Sequence, residues 1–502
     1  RVDNSRVQRW HLHDPAHPSR EPVTLRYPAA GTANAEVTLH LLDLDGGWVD
    51  VHWDRETYPY LVSVSWTETG GPLVTVLRRL QQHGLVLAVD PRTGETQVHA
   101  ELADPRWVEP VPGTPTYLPD GRVLIGGELA HDGFDARCLF ADGGLLTPAG
   151  LYVRRVCGRL GSDILIEASE GEPGEQHLYR VGTRIGAPSV EITRLTTDPG
   201  WHVGHAGGDT LVVGAASLDH AGTRWTVYSG QTVVGTLASH AAIPPYAPRP
   251  VLERVTDRGL PAGVLYPRNH VAGRKLPVLV HIYGGPGHQE VVSVRSRWLE
   301  RQWFADAGFA VVTIDNRGTP GVAPSFEKVI HRRLADVILS DQVDALKALG
   351  EKHPDLDLSR VAIRGWSFGG WLSALAVLRR PDIYKCAIVG APVTDWTLYD
   401  TAYTERYLGL PSESNDVYAH NSLLEAAAQP PRGPEDARPM LLVHGLADDN
   451  VVAAHTLRLS AALLASGRPH AVIPLTGATH MTGGSLTGHL LRLELDFLRR
   501  NL

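Results

Sequence analysis

The sequence predicts two domains of different class: an incomplete β-propeller over residues 1–245 and an α/β domain over residues 246–502. Three observations carry this. The chain has 502 residues, and a single hydrophobic core stops growing at about 250–300. Short strands broken by turns fill the first half, whereas buried strands alternate with amphipathic helices in the second. Between them, Ala242-Ile-Pro-Pro-Tyr-Ala-Pro-Arg-Pro250 is a proline-rich hinge.

The propeller rests on a repeat. Gly121-Arg-Val-Leu-Ile, Gly161-Ser-Asp-Ile-Leu-Ile and Gly208-Asp-Thr-Leu-Val-Val each place a tight turn before an apolar strand, with the glycines 40 and 47 residues apart. Further strand signals lie between and before them, at His177-Leu-Tyr-Arg-Val, Trp225-Thr-Val-Tyr-Ser, Val37-Thr-Leu-His-Leu-Leu and Leu85-Val-Leu-Ala-Val. A multi-strand repeat of about 40–45 residues is the size of a propeller blade. A β-sandwich, which also has closely spaced strands, is the rival. At this repeat length 245 residues make about five blades, so the ring is expected to be open or to lack blades before Arg1.

In the second half the strand candidates are Leu276–Tyr283, Phe309–Ile314, Val361–Gly365, Cys386–Gly390, Met440–Val443 and Ala471–Leu475. Helices are expected over Arg297–Ala307, Arg333–Leu349, Gly370–Arg379 and Ala453–Ala465. Continuous apolar strands separated by helices indicate a parallel sheet covered on both faces.

Composition narrows the function. With 43% apolar and 20% charged residues the chain is globular rather than disordered. A net charge of −8 and no basic run exclude the electrostatic footprint of a nucleic-acid binder. Three scattered cysteines exclude a disulfide scaffold and a Cys-rich zinc module; Cys386, inside an apolar strand, is expected to be a core residue. His11 and His13 alternate like two ligands on a strand face, but no third ligand is evident, so no metal is assigned. No stretch reaches the roughly 18 apolar residues of a membrane span. With no export signal visible, the expectation is a cytoplasmic location, although the chain starts at Arg1 rather than Met.

The motif that carries chemistry is Gly365-Trp366-Ser367-Phe368-Gly369-Gly370, between a strand and a helix. A G-x-S-x-G turn in that context is a nucleophile elbow: the strained turn lifts the serine oxygen above the sheet. This makes the second domain an α/β-hydrolase and Ser367 the nucleophile. The fold then requires an acid and a histidine, in that order, after later strands. Asp448-Asp449 follows the strand Met440–Val443, and His480 follows Ala471–Leu475. The pattern alone does not choose between the two acids. The oxyanion needs two donors. One is the N–H of Phe368; the other belongs to the loop His281-Ile-Tyr283-Gly-Gly-Pro-Gly287, whose spacing matches no phosphate-binding loop.

Taken together these residues resemble the prolyl oligopeptidase clan of serine peptidases, in particular its dipeptidyl peptidase IV branch. The likeness is carried by His281-Ile-Tyr-Gly-Gly-Pro, Asp315-Asn-Arg-Gly-Thr, the Ser367 elbow, Tyr403-Thr-Glu-Arg-Tyr-Leu-Gly-Leu-Pro and His444-Gly-Leu-Ala-Asp-Asp-Asn-Val. It implies a triad of Ser367, Asp448 and His480, with the Tyr283 hydroxyl as second oxyanion donor beside Phe368 N–H. It also implies a proline-sized pocket walled by Phe368, Val393, Trp396, Tyr399, Tyr403 and Val451, and an Asn450 side chain that donates to a substrate carbonyl. Arg317 and Arg406 are expected to be structural. The implied activity is release of N-terminal dipeptides, with proline or alanine next to the cut, from peptides with a free amino terminus. No metal or organic cofactor is needed, and a homodimer is implied as the assembly.

One departure stands out. The branch anchors the substrate amine with adjacent glutamates shortly before a segment like Arg1-Val-Asp-Asn-Ser, and residues 1–245 hold no such pair. Tyr27-Pro-Ala-Ala-Gly-Thr and Asp43-Leu-Asp-Gly-Gly, which follow that segment, do match. The expectation is therefore a fragment whose glutamates lie upstream. Other readings stay open: an acylaminoacyl peptidase, an oligopeptidase or an esterase of the same clan, or a non-catalytic protein that binds through its propeller.

Overall fold

The computed structural model describes residues 1–131, 133–183 and 190–502, and of residue 485 the backbone alone. The first part of the chain is built from antiparallel meanders. Four four-stranded sheets follow one another at 60–103, 116–145, 151–194 and 201–237, each with its strands in chain order. Before them, the ribbon Leu39–Leu42/Trp48–Val51 forms a two-stranded unit. Leu39, Leu41 and Val51 of this ribbon pack with Val74, Val76 and Leu87 of the first sheet. The repeat arithmetic gave about five blades; the described residues form four complete sheets, this shorter unit and two further ribbons, Val2–Asp3 with Glu36–Val37 and Arg9–Leu12 with Val23–Arg26.

Successive sheets are joined face to face. Leu124 and Leu139 of the second share one cluster with Val153, Ile166 and Tyr179 of the third. Leu165 and Leu178 meet Leu211 and Val213 of the fourth. Central strands therefore lose their exposed face, which is why Leu73–Leu77 reads as a nearly continuous apolar run rather than an alternation. The sheets stack as blades of a β-propeller.

The second part is a single eight-stranded sheet. In chain order its strands are β1 (Val251–Val255), β2 (Leu260–Leu265), β3 (Leu276–Ile282), β4 (Ala310–Ile314), β5 (Leu356–Trp366), β6 (Tyr384–Gly390), β7 (Met440–Gly445) and β8 (His470–Leu475). The spatial order is β1-β2-β4-β3-β5-β6-β7-β8. From β4 to β8 every pair is parallel. The all-parallel expectation needs one correction: β1 and β2 run antiparallel at one edge. Only a short turn joins them, and so short a connection forces a hairpin.

Alternate residues of the inner strands feed two cores, as a period of two requires. Val278, Val280, Val361 and Ile363 point into one cluster with Leu372 and Val389. Leu279, Ala362, Cys386 and Ile388 point into the other with Phe304 and Leu498. Cys386 is fully buried there, and burial pushes its thiol up to about 12, so it packs and does not react. Among the described residues no helix is long and apolar enough to cross a membrane.

The two parts are tied through the segment after Tyr27. The Ala30 N–H donates to the Tyr399 carbonyl at 2.9 Å, and the Thr401 N–H to the Pro28 carbonyl at 2.8 Å. Arg79, from the first sheet, donates to both oxygens of the fully buried Glu405 at 2.6 and 2.7 Å, and the Gly31 N–H adds a third bond at 2.7 Å. Removing one partner of such a pair strands the other charge. Arg79→Met is expected to cost about 3–5 kcal/mol of stability, seen as a lowered urea midpoint.

Candidate active site

Ser367 sits where β5 turns into helix α1 (Phe368–Arg379), with φ 59° and ψ −118°. A non-glycine residue adopts such a backbone only when its surroundings impose it. Here they do. The Ser367 N–H is held by the Gly390 carbonyl at 2.8 Å, and the Trp371 N–H returns to the Ser367 carbonyl at 3.0 Å. A Cβ on Gly365 would lie 2.2 Å from the Gly369 carbonyl oxygen, and one on Gly369 2.3 Å from that of Ile282. The glycines of the motif are thus required by close approach of backbone to backbone. Phe368 opens the helix, so its N–H is among the first-turn donors that a helix cannot satisfy itself.

Asp448 lies in the loop after β7 and is fully buried. Its Oδ1 accepts the N–H groups of Asn450 at 3.0 Å and Val451 at 2.9 Å, and its Oδ2 lies 2.7 Å from His480 Nδ1. A second imidazole, His444 at the end of β7, reaches Oδ2 at 3.5 Å through Nε2, the same nitrogen that lies 2.7 Å from the Val451 carbonyl, while its Nδ1 is 2.6 Å from the Thr456 hydroxyl. Burial alone would raise this carboxyl. The contacts from His444 and His480 outweigh burial and hold it down at about 2. Since the folded pKa lies below the ordinary 3.8, this carboxylate's contribution to folding is complete above that pH and disappears as the pH falls to about 2. An acid-unfolding titration should show that dependence weakened in Asp448→Asn. Asp449, by contrast, is exposed, so the surroundings of the two acids, which spacing alone did not tell apart, differ.

His480 is half-buried in the loop after β8, and its carbonyl accepts the Trp366 indole N–H at 2.8 Å. The histidine loop is therefore pinned to the residue next to Ser367. Among the described residues the Ser367 hydroxyl and His480 Nε2 do not bond to each other; catalytic hydrogen bonds are often long before substrate binds.

Tyr283 follows β3. Its ring centroid is 6.0 Å from that of Phe368 and 4.9 Å from that of His288. Burial, then the nearby Glu290 charge, raises its phenol, which stays a donor. The six residues expected to wall a pocket fall in one apolar cluster with Tyr283. Phe368, Val393, Trp396 and Val451 are buried, and Tyr399 and Tyr403 are half-buried. Trp396 and Tyr403 have ring planes parallel within 10°, and Tyr399 stands edge-on to Tyr403 at 5.4 Å. Asn450 accepts the Tyr399 hydroxyl at Oδ1, 3.3 Å away, which leaves Nδ2 as a donor. Arg317 is bound bidentately by Asp341, and Arg406 by Gln81 and Glu109; both are structural anchors.

With this geometry in hand, comparison with known proteins decides the family. The pattern of the prolyl oligopeptidase family matches residues 295–502, and that of the dipeptidyl peptidase IV N-terminal region matches residues 1–226. The chain belongs to the prolyl oligopeptidase family. Mouse dipeptidyl peptidase 8 is 28% identical over 592 aligned positions, covering 100% of this chain and 65% of the relative. A probable dipeptidyl-aminopeptidase B of Emericella nidulans is 29% identical, covering 87% of this chain and 51% of its own. The chain thus spans between half and two-thirds of the length of these relatives. The crystal structure of Porphyromonas gingivalis dipeptidyl peptidase 4 superposes with a TM-score of 0.86 at 23% identity, covering all of this chain and 72% of that one. That likeness speaks for the fold.

Two contacts of this family member had no sequence signal of their own. The His444 contact to Asp448 follows from its place at the strand end, where a four-residue step returns to the same side. The Tyr27 hydroxyl donates to the Asn450 carbonyl at 2.9 Å across 423 residues of chain.

Proposed function

We propose that the chain is a serine exopeptidase that releases dipeptides from free amino termini, with proline or alanine at the penultimate position. Its two domains are residues 1–245 and 246–502. In this reading His480 Nε2 takes the proton of Ser367 Oγ as the oxygen attacks the scissile carbonyl. Asp448 accepts from Nδ1–H, holds that tautomer and stabilises the imidazolium. The tetrahedral oxyanion is met by the Phe368 N–H and the Tyr283 hydroxyl. His480 then protonates the leaving amine, which leaves an acyl ester on Ser367, and water activated by the same imidazole resolves it. No step calls for a metal or an organic cofactor.

A compact ring next to the cut would lie against the Trp396, Tyr399 and Tyr403 faces and lose little freedom on binding. Asn450 Nδ2 would donate to the carbonyl one residue further back.

The observation that carries the reading is the His480–Asp448 bond on a loop tied to the residue beside a strained serine. Tyr283→Phe is expected to slow turnover of Gly-Pro amides by about 10²–10³-fold with KM little changed; unchanged kinetics would move the donor role elsewhere. Comparing free with acetylated Ala-Pro and Gly-Pro amides tests the exopeptidase register. Only the free amines should be cut, provided the protein assayed carries the paired glutamates that residues 1–245 lack. Equal rates on acetylated substrates would favour an acylaminoacyl peptidase, an oligopeptidase or an esterase.

A further inference from the structure

A hydroxyl that must point at the oxyanion cannot also be tied down at its tip, so the Tyr283 ring has to be held by what packs around it. Phe368 is one neighbour, its ring tilted by 39° with centroids 6.0 Å apart. Gly285 is another: a Cβ there would lie 2.9 Å from Tyr283 Cε1. The nearest ring is His288, which stands at 71° to the tyrosine with centroids 4.9 Å apart.

His288 is itself anchored. Its Nε2 lies 2.7 Å from a guanidinium nitrogen of Arg297 and 2.9 Å from Glu290 Oε1. A guanidinium only donates and a carboxylate only accepts. A bare Nε2 therefore takes the bond from Arg297, and a protonated one gives its bond to Glu290, so the ring is held in either state. The anchors are fixed in turn. Glu290 binds the buried Arg301, whose Nε donates to the Thr313 hydroxyl on β4 at 3.0 Å. The buried Asp315 accepts the N–H groups of Glu290 at 3.0 Å and Val291 at 2.9 Å. From the propeller, Arg154 donates to the Gln289 side chain at 2.7 Å. We infer that His288 is a positioning residue of the oxyanion site: pinned by Arg297 and Glu290, its ring fixes that of Tyr283 so that the phenolic O–H is aimed where negative charge develops. The inference rests on Tyr283 being the second oxyanion donor.

The test is a double-mutant cycle on the full chain with p-nitrophenyl acetate, a substrate with no amine to anchor, after subtraction of the Ser367→Ala rate. Tyr283→Phe should lower kcat/KM by about a hundredfold. His288→Ala should lower it by about tenfold, the scale of a lost contact between aromatic rings. In the Tyr283→Phe background His288→Ala should cost less than about twofold further, because no hydroxyl remains to be aimed. The His288 side chain is 39% exposed, so the thermal midpoint should stay close to that of the unmodified chain. Unchanged kinetics in Tyr283→Phe would overturn the oxyanion role of Tyr283 and this inference with it. With that role intact, an unaffected His288→Ala enzyme, or an equal loss in both backgrounds, would overturn the assignment of His288 alone.

Discussion

Ser367→Ala is expected to lower kcat for Gly-Pro amides by about 10⁶, with a circular dichroism spectrum and thermal midpoint close to those of the unmodified chain. The size follows from the chemistry. Without Oγ no acyl ester forms, and what remains is the modest acceleration that an oxyanion site and substrate positioning supply alone. Folding should tolerate the change. The backbone at residue 367 is imposed by the Gly390 carbonyl and by the packing of Gly365 and Gly369, and alanine occupies the same space at Cβ. Full retained activity would remove Ser367 from the mechanism.

Asp448→Asn should lower kcat by about 10⁴, whereas Asp449→Asn should leave it within a factor of two or three, the scatter expected of an exposed substitution within ±0.5 kcal/mol. The contrast rests on surroundings, because the two residues are neighbours of identical chemistry. Asp448 is buried, is held by two backbone N–H groups and faces His480 Nδ1 at 2.7 Å. An asparagine there could present its amide N–H to Nδ1 and so favour the tautomer with the proton on Nε2, which cannot act as base. Asp449 is exposed. Steady-state kinetics on both variants reads the difference directly, and equal losses would mean that the carboxylate has been misassigned.

The parts of the site visible in the sequence are those that short stretches of chain encode. The elbow needs a strand, a tight turn and a helix in succession, with glycines where backbone meets backbone, and all of this fits within Val361–Arg379. Asp448 and His480 each follow a buried strand, so their order and loop positions could be expected before any coordinates. Spacing did not choose between Asp448 and Asp449; the resemblance implied Asp448, and the burial that distinguishes it depends on how β7, β8 and the loop of His480 pack together.

Contacts that cross the two parts of the chain were illegible for the same reason. Arg79 and Glu405 are 326 residues apart, and nothing local to either marks a partner. The hairpin of β1 and β2 escaped notice because β1 carries Glu253 and Arg254 within five residues and lacks the apolar run of the inner strands. The pocket aromatics were ambiguous one by one, since buried tryptophans and tyrosines are commonly core. Their common cluster with Tyr283 is a property of the assembled site.

The account turns on an activated oxygen at Ser367, and covalent labelling tests it most directly. The chain is treated with diisopropyl fluorophosphate at neutral pH and the adduct is located by peptide mass spectrometry. Stoichiometric modification of Ser367 is predicted, together with its near-complete loss in His480→Ala. An unlabelled Ser367 in the folded chain, or equal labelling in His480→Ala, would contradict the account.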